Sequence, residues 1–527
     1  MSAAEAYPGY REYESMEILQ LDPNVEMARA VRVQLESEEE ARKYFPLGVR
    51  PPIQTAFNHY ASRTFLWDPE LIAEVMAKLG SKEIVDWAAY SLFKLTDGIR
   101  PDGFISNMQY LDHNDGLHLG GRAERWTFKD KNGSDYTQPA LLPTAIKAVF
   151  EGYLRLGDKE SAWQFLQPMF PRAKLHIEYF KNYRPSSAHN PLVFNNHPHE
   201  DGRDSSGSGK FKLPRLKEDN PLGAVVDFAD FAQDLVGTFI GKNMRLKLAD
   251  WDLDKARKIY GRRDVMFNVI LCKNSYIMSD LSRMMAEHDP DMADEYNADA
   301  AVFKNYAERL EQSIYDHTWH PDEIWSPKTR THKGAFYSLK GNGKREKNID
   351  VGDLMTVLLP NLGADQLVSD LNLILTSFNT EFALPTAPKD APHYDPHNKR
   401  KTGCNWSGST WPHINKFVAD GLRLQAERIE TDPEFRSQFE NEMVAEQTMY
   451  LCNLVADRLA EIAKELTKDV YAEQYDAETG EPQRYPDVKN FGMAMQADIL
   501  PHFGLDKDES YFNFCRRLGR VVNIISV

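Results

Sequence analysis

Apolar residues recur every three or four positions along much of the chain, which is the period of an amphipathic α-helix. In QPALLPTAIKAVFEGYLRLGDKESAWQFL this spacing joins Leu142, Ile146, Val149, Tyr153 and Leu156. Gly157 then provides a left-handed helix end, and Asp158 provides a start for a second helix. The segment predicts two antiparallel helices joined by a tight turn.

Two other segments have a similar glycine-containing turn between predicted helices, at Leu79-Gly80-Ser81 and at Leu362-Gly363-Ala364-Asp365. Further amphipathic stretches are predicted at about 268–287, 294–314, 414–428 and 439–466. In the last of these the apolar stripe is Met443, Leu451, Val455, Leu459 and Ile462. Repeated helix pairs with few alternating strands predict an all-α fold.

Long polar and aromatic connections separate the helix pairs, at 97–116, 185–223, 320–348 and 385–411. Connections beyond about 15 residues without regular structure are usually functional or disordered, and the aromatic content here argues against disorder. Because no Gly/Ser linker interrupts the chain, the sequence predicts one main domain.

The charge balance and the cysteines narrow the function classes. The 527 residues carry 63 Lys and Arg against 79 Asp and Glu, a net charge of −16, which disfavours nucleic acid and anionic membranes as partners. The four cysteines are scattered without CxxC spacing, so reduced thiols are predicted. With no apparent signal or membrane-spanning segment, we expect a soluble, cytoplasmic protein.

Residues 197–206 read HPHEDGRDSS, and we call them the acidic loop. The His197-x-His199 pair resembles a metal site of barrel amidohydrolases, but the alternating strands and helices of those enzymes are missing. We therefore predict no metal and no cofactor. Phosphate-binding glycine loops and a G-x-S-x-G elbow are also missing from the sequence, which disfavours nucleotide and serine-hydrolase chemistry.

Carboxylate chemistry remains, and the long connections carry residues suited to sugars. Hydrolysis of a glycosidic bond needs a proton donor and a second carboxylate, which can be far apart in sequence. Aromatic side chains that could stack on a pyranose are Trp67, Tyr110, Trp126, Trp325, Trp406 and Trp411. Any single Trp more often packs in a core, but their concentration in polar loops favours carbohydrate binding.

Six motifs in order resemble glycoside hydrolase family 63 and its relatives. They are FLWD from Phe65, DGFI from Asp102, TQPALL from Thr137, the acidic loop, NWSGSTW from Asn405 and YAEQYDAETGEP from Tyr471. The resemblance covers roughly residues 63–504 and implies an (α/α)6 toroid that acts as an inverting α-glycosidase. It implies that Asp204 is the general acid and Glu473 the general base. We expect residues 1–60 to form an extension packed on the barrel and residues 61–527 to form the catalytic domain.

The resemblance also implies which residues surround the sugar. Trp67, Asp68, Gln138 and Trp406 match positions near the cleaved residue. The other expected binding residues are His199, Glu200, Asp201, Gly202, Arg203, Gly408, Trp411 and Tyr471. For Glu200, Asp201 and Arg203, contacts to sugar hydroxyls and structural ion pairs are both open, and an ion pair is favoured for Arg203.

Several positions depart from the family pattern. His199 replaces a Trp, Arg203 an apolar residue and Gly207 a Pro, while Ser407 and Ser409 replace the Arg and Pro of WRGP. Met493 replaces a frequent Trp. These changes leave the substrate open. A small α-glycoside is expected, with a glucoside favoured over a mannoside; a non-cleaving sugar-binding toroid and a phosphorylase are the alternatives, and the oligomeric state stays open.

Overall fold

The protein is described by a computed structural model that covers most of the chain between residues 63 and 483. The described residues are 63–78, 82–110, 133–134, 136–187, 189–196, 198–203, 261–322, 334–399, 406–467, 472 and 474–483. The expected N-terminal extension, residues 1–60, lies outside them.

Helices dominate the described residues, as predicted. They are α1 (Trp67–Lys78), α2 (Lys82–Thr96), α3 (Leu142–Arg155), α4 (Lys159–Tyr183), α5 (Val265–His288), α6 (Ala293–Thr318), α7 (Ala364–Leu375), α8 (Pro412–Thr431), α9 (Pro433–Arg436) and α10 (Glu442–Thr467). Three 3-10 helices cover Pro198–Asp201, Pro290–Met292 and Val351–Leu358. None of these described helices is both long and apolar enough to cross a lipid bilayer.

The described strands are short and pair only as two-stranded antiparallel ribbons. Strand β1 (Arg63–Phe65) pairs with β2 (Met108–Tyr110), and β3 (Arg262–Arg263) pairs with β6 (Leu339–Lys340). The other two ribbons join β4 (Trp319–His320) with β5 (Ala335–Phe336), and β7 (Gln474–Tyr475) with β8 (Pro482–Gln483). These ribbons shape the long connections and leave the core to the helices.

The turn between α3 and α4 has the geometry that its sequence predicts. Gly157 has a φ of +76°, in the left-handed region that favours glycine. The Asp158 side chain caps α4 by accepting a hydrogen bond from the Ser161 backbone N–H at 3.0 Å. Leu142, Ile146, Val149 and Tyr153 are all fully buried, so the periodic apolar face is the packed face of the helix.

The helices pack as neighbouring pairs around an inner row. In that row α1 contacts α3, α3 contacts α5, α5 contacts the 3-10 helix Val351–Leu358, and that helix contacts α8. Each inner element also packs against the helix that follows it in the chain or the next one along. Helix α2 packs on α1, α4 on α3, α6 on α5, α7 on the 3-10 helix Val351–Leu358, and α10 on α8. Helices α1 and α8 meet through the Lys416–Glu74 ion pair, at 3.5 Å. The first and last inner helices of the described row are therefore neighbours.

Two details differ from the sequence prediction. The sequence predicts Met443 in the apolar stripe of α10, but its side chain is 61% exposed, because it faces away from the core while the next residues, Val444 and Ala445, are buried. At the joint 362–365 the preceding element is a 3-10 helix, and Gly363 has a φ of −72° as the N-cap of α7. Gly363 therefore starts a helix instead of ending one in the left-handed region.

Candidate active site

The acidic loop begins with a single 3-10 turn in which Glu200 is fully buried. Glu200 forms an ion pair with Arg184, at the end of α4, and accepts hydrogen bonds from the backbone N–H groups of Asn196 at 2.5 Å and Thr137 at 3.3 Å. Burial disfavours the charged form of Arg184, but Glu200 more than offsets it and raises the pKa of the guanidinium. The two roles left open for Glu200 were sugar contact and ion pairing; the described contacts are those of an ion pair.

Arg203, two residues after this turn, is also buried and paired. Its guanidinium binds the carboxylates of Asp264 and Asp350, and it lies 3.5 Å from Asp201. Asp201 also accepts a hydrogen bond from Arg262 at 3.2 Å. Burial, reinforced by the nearby charge of Asp264, raises the pKa of Asp201 to about 7. The ion pairing favoured for Arg203 is thus present, and it extends into a cluster of five charged groups.

Gly202 brings the acidic loop against the start of α1. Its φ is +70°, and a Cβ at this position would lie 2.7 Å from Cε2 of Trp67. The backbone N–H of Trp67 donates to Oε1 of Gln138 at 3.1 Å. Because Thr137, the preceding residue, is bonded to Glu200, residues 137–138 connect the acidic loop to α1. Trp67, Gln138 and Gly202 are therefore close together.

An aromatic cluster links Trp67 to the 406–411 segment. The rings of Trp406 and Trp411 stack, with centroids 4.1 Å apart and planes 20° apart. The ring of His413 lies edge-on to all three indoles, at 5.5 Å from Trp67, 6.1 Å from Trp406 and 5.7 Å from Trp411. Trp67 and Trp406, distant in sequence, thus line one cluster through His413.

His413 was not singled out from the sequence. It is buried in the first turn of α8, and burial lowers its pKa to about 3, so the ring is neutral over the usual working range of pH. Its position two residues after Trp411, at the N-terminus of an inner helix, is the signal that could have found it. Glu70 was missed as well: it is buried in α1, and burial raises its pKa well above the usual value.

Several buried polar atoms have no hydrogen-bond partner among the residues that the structure describes. They are Nε1 of Trp406, both ring nitrogens of His413, Oγ1 of Thr137, Oδ1 of Asn107 and the side-chain amides of Asn195 and Asn196. Buried polar groups in folded proteins are nearly always hydrogen-bonded. Thr137 and Asn196 bind Glu200 through their backbones, and the Asn107 carbonyl accepts from Leu66, next to Trp67. Thr137, Asn196 and Asn107 are thus near the acidic loop or the start of α1, while Trp406 and His413 belong to the aromatic cluster. Unpartnered groups of this kind suit a ligand with many hydroxyl groups.

The 406–411 segment is fastened to the β7–β8 ribbon. Thr410 and Tyr475 exchange two backbone hydrogen bonds, at 2.8 and 2.9 Å. The Ser409 hydroxyl donates to Oε1 of Gln483 at 2.5 Å. Gly408 has a φ of +149°, and a Cβ there would lie 2.9 Å from the backbone of Asp395. The segment that immediately follows residue 473 therefore lies beside the aromatic cluster.

The remaining expected site residues are placed only in part. Asp68 lies partly buried in the first turn of α1. The backbone of His199 belongs to the 3-10 turn Pro198–Asp201. Asp204, Tyr471 and Glu473 lie outside the described residues, so their roles stay predictions. Across the part of the chain that the structure describes, no group of three or more His, Cys, Asp or Glu side chains has a metal-binding arrangement.

A family model supplies the identity of the fold and its chemistry. The mannosylglycerate hydrolase MGH1-like glycoside hydrolase domain matches residues 63–492. The chain belongs to this family. It is therefore a glycoside hydrolase, as the six motifs predict. None of the curated proteins matches the chain.

Solved structures of one family member are similar to this glycoside hydrolase along most of its length. The family 63 mannosylglycerate hydrolase from Thermus thermophilus, in complex with Tris, is 18% identical, with a TM-score of 0.61 over 90% of this chain and 99% of that chain. Its glucose complex is 17% identical, with a TM-score of 0.59 over 89% and 98% of the two chains. These similarities confirm the predicted (α/α)6 toroid.

Proposed function

We propose that this glycoside hydrolase cleaves a small α-glycoside with inversion, using Asp204 as general acid and Glu473 as general base. One observation carries the proposal. An unbroken series of contacts runs from Gly202 to Trp67, His413 and Trp411, and the neighbouring Thr410 pairs with Tyr475. Asp204 is two residues from one end of this series, and Glu473 is two residues from the other.

The proposed chemistry follows from two carboxyl groups on opposite sides of the scissile bond. Asp204 donates a proton to the departing glycosidic oxygen, while Glu473 removes a proton from the water that attacks the anomeric carbon. Inversion requires room for that water, so the two carboxyl groups should be about 6.5 to 9.5 Å apart. The general acid must be protonated at the working pH, which calls for a raised pKa at Asp204.

The aromatic cluster provides the proposed platform for the sugar ring. Indole faces stack on the apolar face of a pyranose, while the unpartnered groups of Trp406, His413 and Thr137 can bind its hydroxyls. Because His413 is neutral, it can donate from one ring nitrogen and accept at the other without placing a charge beside the developing oxocarbenium ion. Asp68 and Gln138 complete the proposed sugar-binding set.

The substrate we favour is a small α-glucoside. The Thermus thermophilus relative was solved with glucose and, in another structure, with Tris and D-glycerate. In this chain Ser409 is held by Gln483 and Ser407 replaces an Arg, so residue 407 does not supply the cation that the usual pattern has at this position. We therefore propose a sugar-binding subsite like that of the relatives, with a leaving-group side of different specificity.

A substrate screen tests the proposal. We expect the wild-type protein to release free monosaccharide from at least one α-linked disaccharide or glycosyl-glycerate without added phosphate. Asp204→Asn and Glu473→Gln should lower kcat by at least about 100-fold, the effect of losing a positioned proton-transfer group. Glu481→Gln, at an exposed carboxylate directly before β8, is the control and should retain full activity. Strict dependence on phosphate would indicate a phosphorylase instead.

A further inference from the structure

Arg203 occupies a position where the family pattern usually has an apolar residue, directly before the proposed general acid. We propose that Arg203 is a positioning residue, whose guanidinium fixes the backbone that leads into Asp204 by binding carboxylates from three segments of the chain. This inference rests on the proposed function, and it concerns how this particular chain holds its catalytic loop.

The carboxylates around Arg203 belong to rigid elements. Asp264 is the N-cap of α5, and Asp350 is the N-cap of the 3-10 helix Val351–Leu358, so both belong to the inner row of the toroid. Asp201 comes from the loop itself. The Arg203 side chain is only 1% exposed. The planar guanidinium can satisfy several acceptors at once in a fixed geometry, which suits it for locking a loop to two helix starts.

A second guanidinium strengthens the same junction. Arg262, in β3, lies 3.2 Å from Asp201, 3.1 Å from Asp264 and 3.6 Å from Asp350. Its backbone exchanges two hydrogen bonds with Asn195, at 2.7 and 3.1 Å. The stretch 195–203 is thus fixed near its beginning by backbone pairing and at its end by Arg203.

Gly352 makes room for the Arg203 side chain. A Cβ on Gly352 would lie 2.8 Å from Cζ of Arg203, closer than side-chain carbons approach one another. The backbone N–H of Gly352 also donates to Asp350 at 2.9 Å. The Arg203 guanidinium therefore occupies space that a side chain at residue 352 would take.

The junction has more carboxylates than guanidiniums, which favours the charged form of Arg203. Three aspartates face two arginines, and Asp353 and Glu346 lie near the same groups; Lys340 pairs with Glu346 at 3.8 Å. Burial opposes the charge of Arg203, but Asp264 and Asp350 offset it and raise the pKa of the guanidinium. Arg203 therefore stays charged beside Asp264 and Asp350.

Three variants and a control test the positioning role. A misplacement of about 1 Å in an active site can lower the rate by about 100-fold, so we expect Arg203→Met to lower kcat by ~10- to 100-fold, with a smaller change in KM. Arg203→Lys keeps the charge but lacks the planar guanidinium with its several N–H donors, so it should restore only part of the kcat that Arg203→Met loses. Gly352→Ala displaces the guanidinium without removing any charge and should lower kcat similarly. The control is Arg458→Met, which removes another buried, ion-paired arginine and should leave kcat unchanged.

Hydrogen exchange supplies a readout that does not depend on activity. Peptides within 195–203 should exchange at least about tenfold faster in Arg203→Met than in Arg458→Met, while the inner helices keep their protection. If Arg203→Met fails to fold, Gly352→Ala and Arg203→Lys carry the same comparison. Wild-type kcat together with unchanged loop exchange in all three Arg203-directed variants would overturn the inference. If the wild-type protein releases no sugar at all, the proposed function fails, whereas the exchange comparison still decides whether Arg203 anchors the loop.

Discussion

Gly202 packs directly against the indole of Trp67, so the backbone of the acidic loop approaches α1 where any side chain would intervene. This contact joins two segments that are 135 positions apart (202 − 67). It holds the loop that leads to Asp204 against one wall of the aromatic cluster. The relative placement of the sugar platform and the proposed general acid therefore depends on a residue without a side chain.

Substitution of Gly202 tests this contact. At residue 202 a side chain would be strained by the φ of +70°, and its Cβ would clash with the Trp67 ring. We therefore expect Gly202→Ala to lower kcat by about 100-fold and to destabilise the fold. Gly157 has a φ of +76° with nothing within 4 Å of the position of a Cβ, which makes Gly157→Ala a control for backbone strain alone. Equal effects of the two substitutions on kcat would refute the steric role of Gly202.

The buried pair of Arg184 and Glu200 should be important for stability. Removing one member leaves an uncompensated charge in the core, so Arg184→Met should lower the free energy of unfolding by about 3 to 5 kcal/mol. Lys304 and Glu308 form an exposed pair at 3.8 Å, and Lys304→Met should cost less than about 1 kcal/mol. Urea denaturation of both variants measures the contrast, and similar losses in the two would contradict the interpretation of Glu200 as a core ion-pair partner.

His413 should make the protein less stable in acid. Its pKa is about 3 in the folded state and near 6.5 when unfolded, so the unfolded chain binds more protons between these values and stability falls as pH falls. Between pH 7 and pH 5 the stability advantage of wild type over His413→Phe should shrink by about 2 kcal/mol. His317 is exposed, and His317→Phe is the control. A constant difference between wild type and His413→Phe over this range would refute a buried, neutral imidazole.

Asp201 should show the opposite dependence on pH. Its pKa is about 7 in the folded state and near 3.9 in the unfolded state, so the folded state binds more protons between these values. The contribution of protonated Asp201 to the free energy of unfolding is therefore lost as pH rises through 7. Relative to wild type, Asp201→Asn should therefore gain about 2 kcal/mol of stability between pH 5 and pH 7. Denaturation curves at the two pH values measure the change. If Asp201→Asn instead became less stable relative to wild type as pH rises, the ion pairs with Arg203 and Arg262 would be lowering the pKa of Asp201.

Local periodicity was enough to predict the pair α3–α4, because the neighbouring residues Gly157 and Asp158 specify its turn. It was not enough at 362–365, where a 3-10 helix precedes Gly363. The partners of Arg203 were not predictable in this way, since Asp264 and Asp350 are 61 and 147 positions away in sequence. His413 and Glu70 were missed for a similar reason: their chemistry comes from burial in the assembled toroid, and no short motif marks it. The proximity of Trp67 and Trp406 was expected only through the resemblance to a family.

The central claim is inverting hydrolysis between Asp204 and Glu473, and proton NMR of the sugar as it is released tests it most directly. With an α-glycoside that the screen identifies, we predict that the β-anomer appears first and that the α-anomer follows only by mutarotation. First appearance of the α-anomer would mean retention, and Glu473 would then not be a base that activates water for inversion.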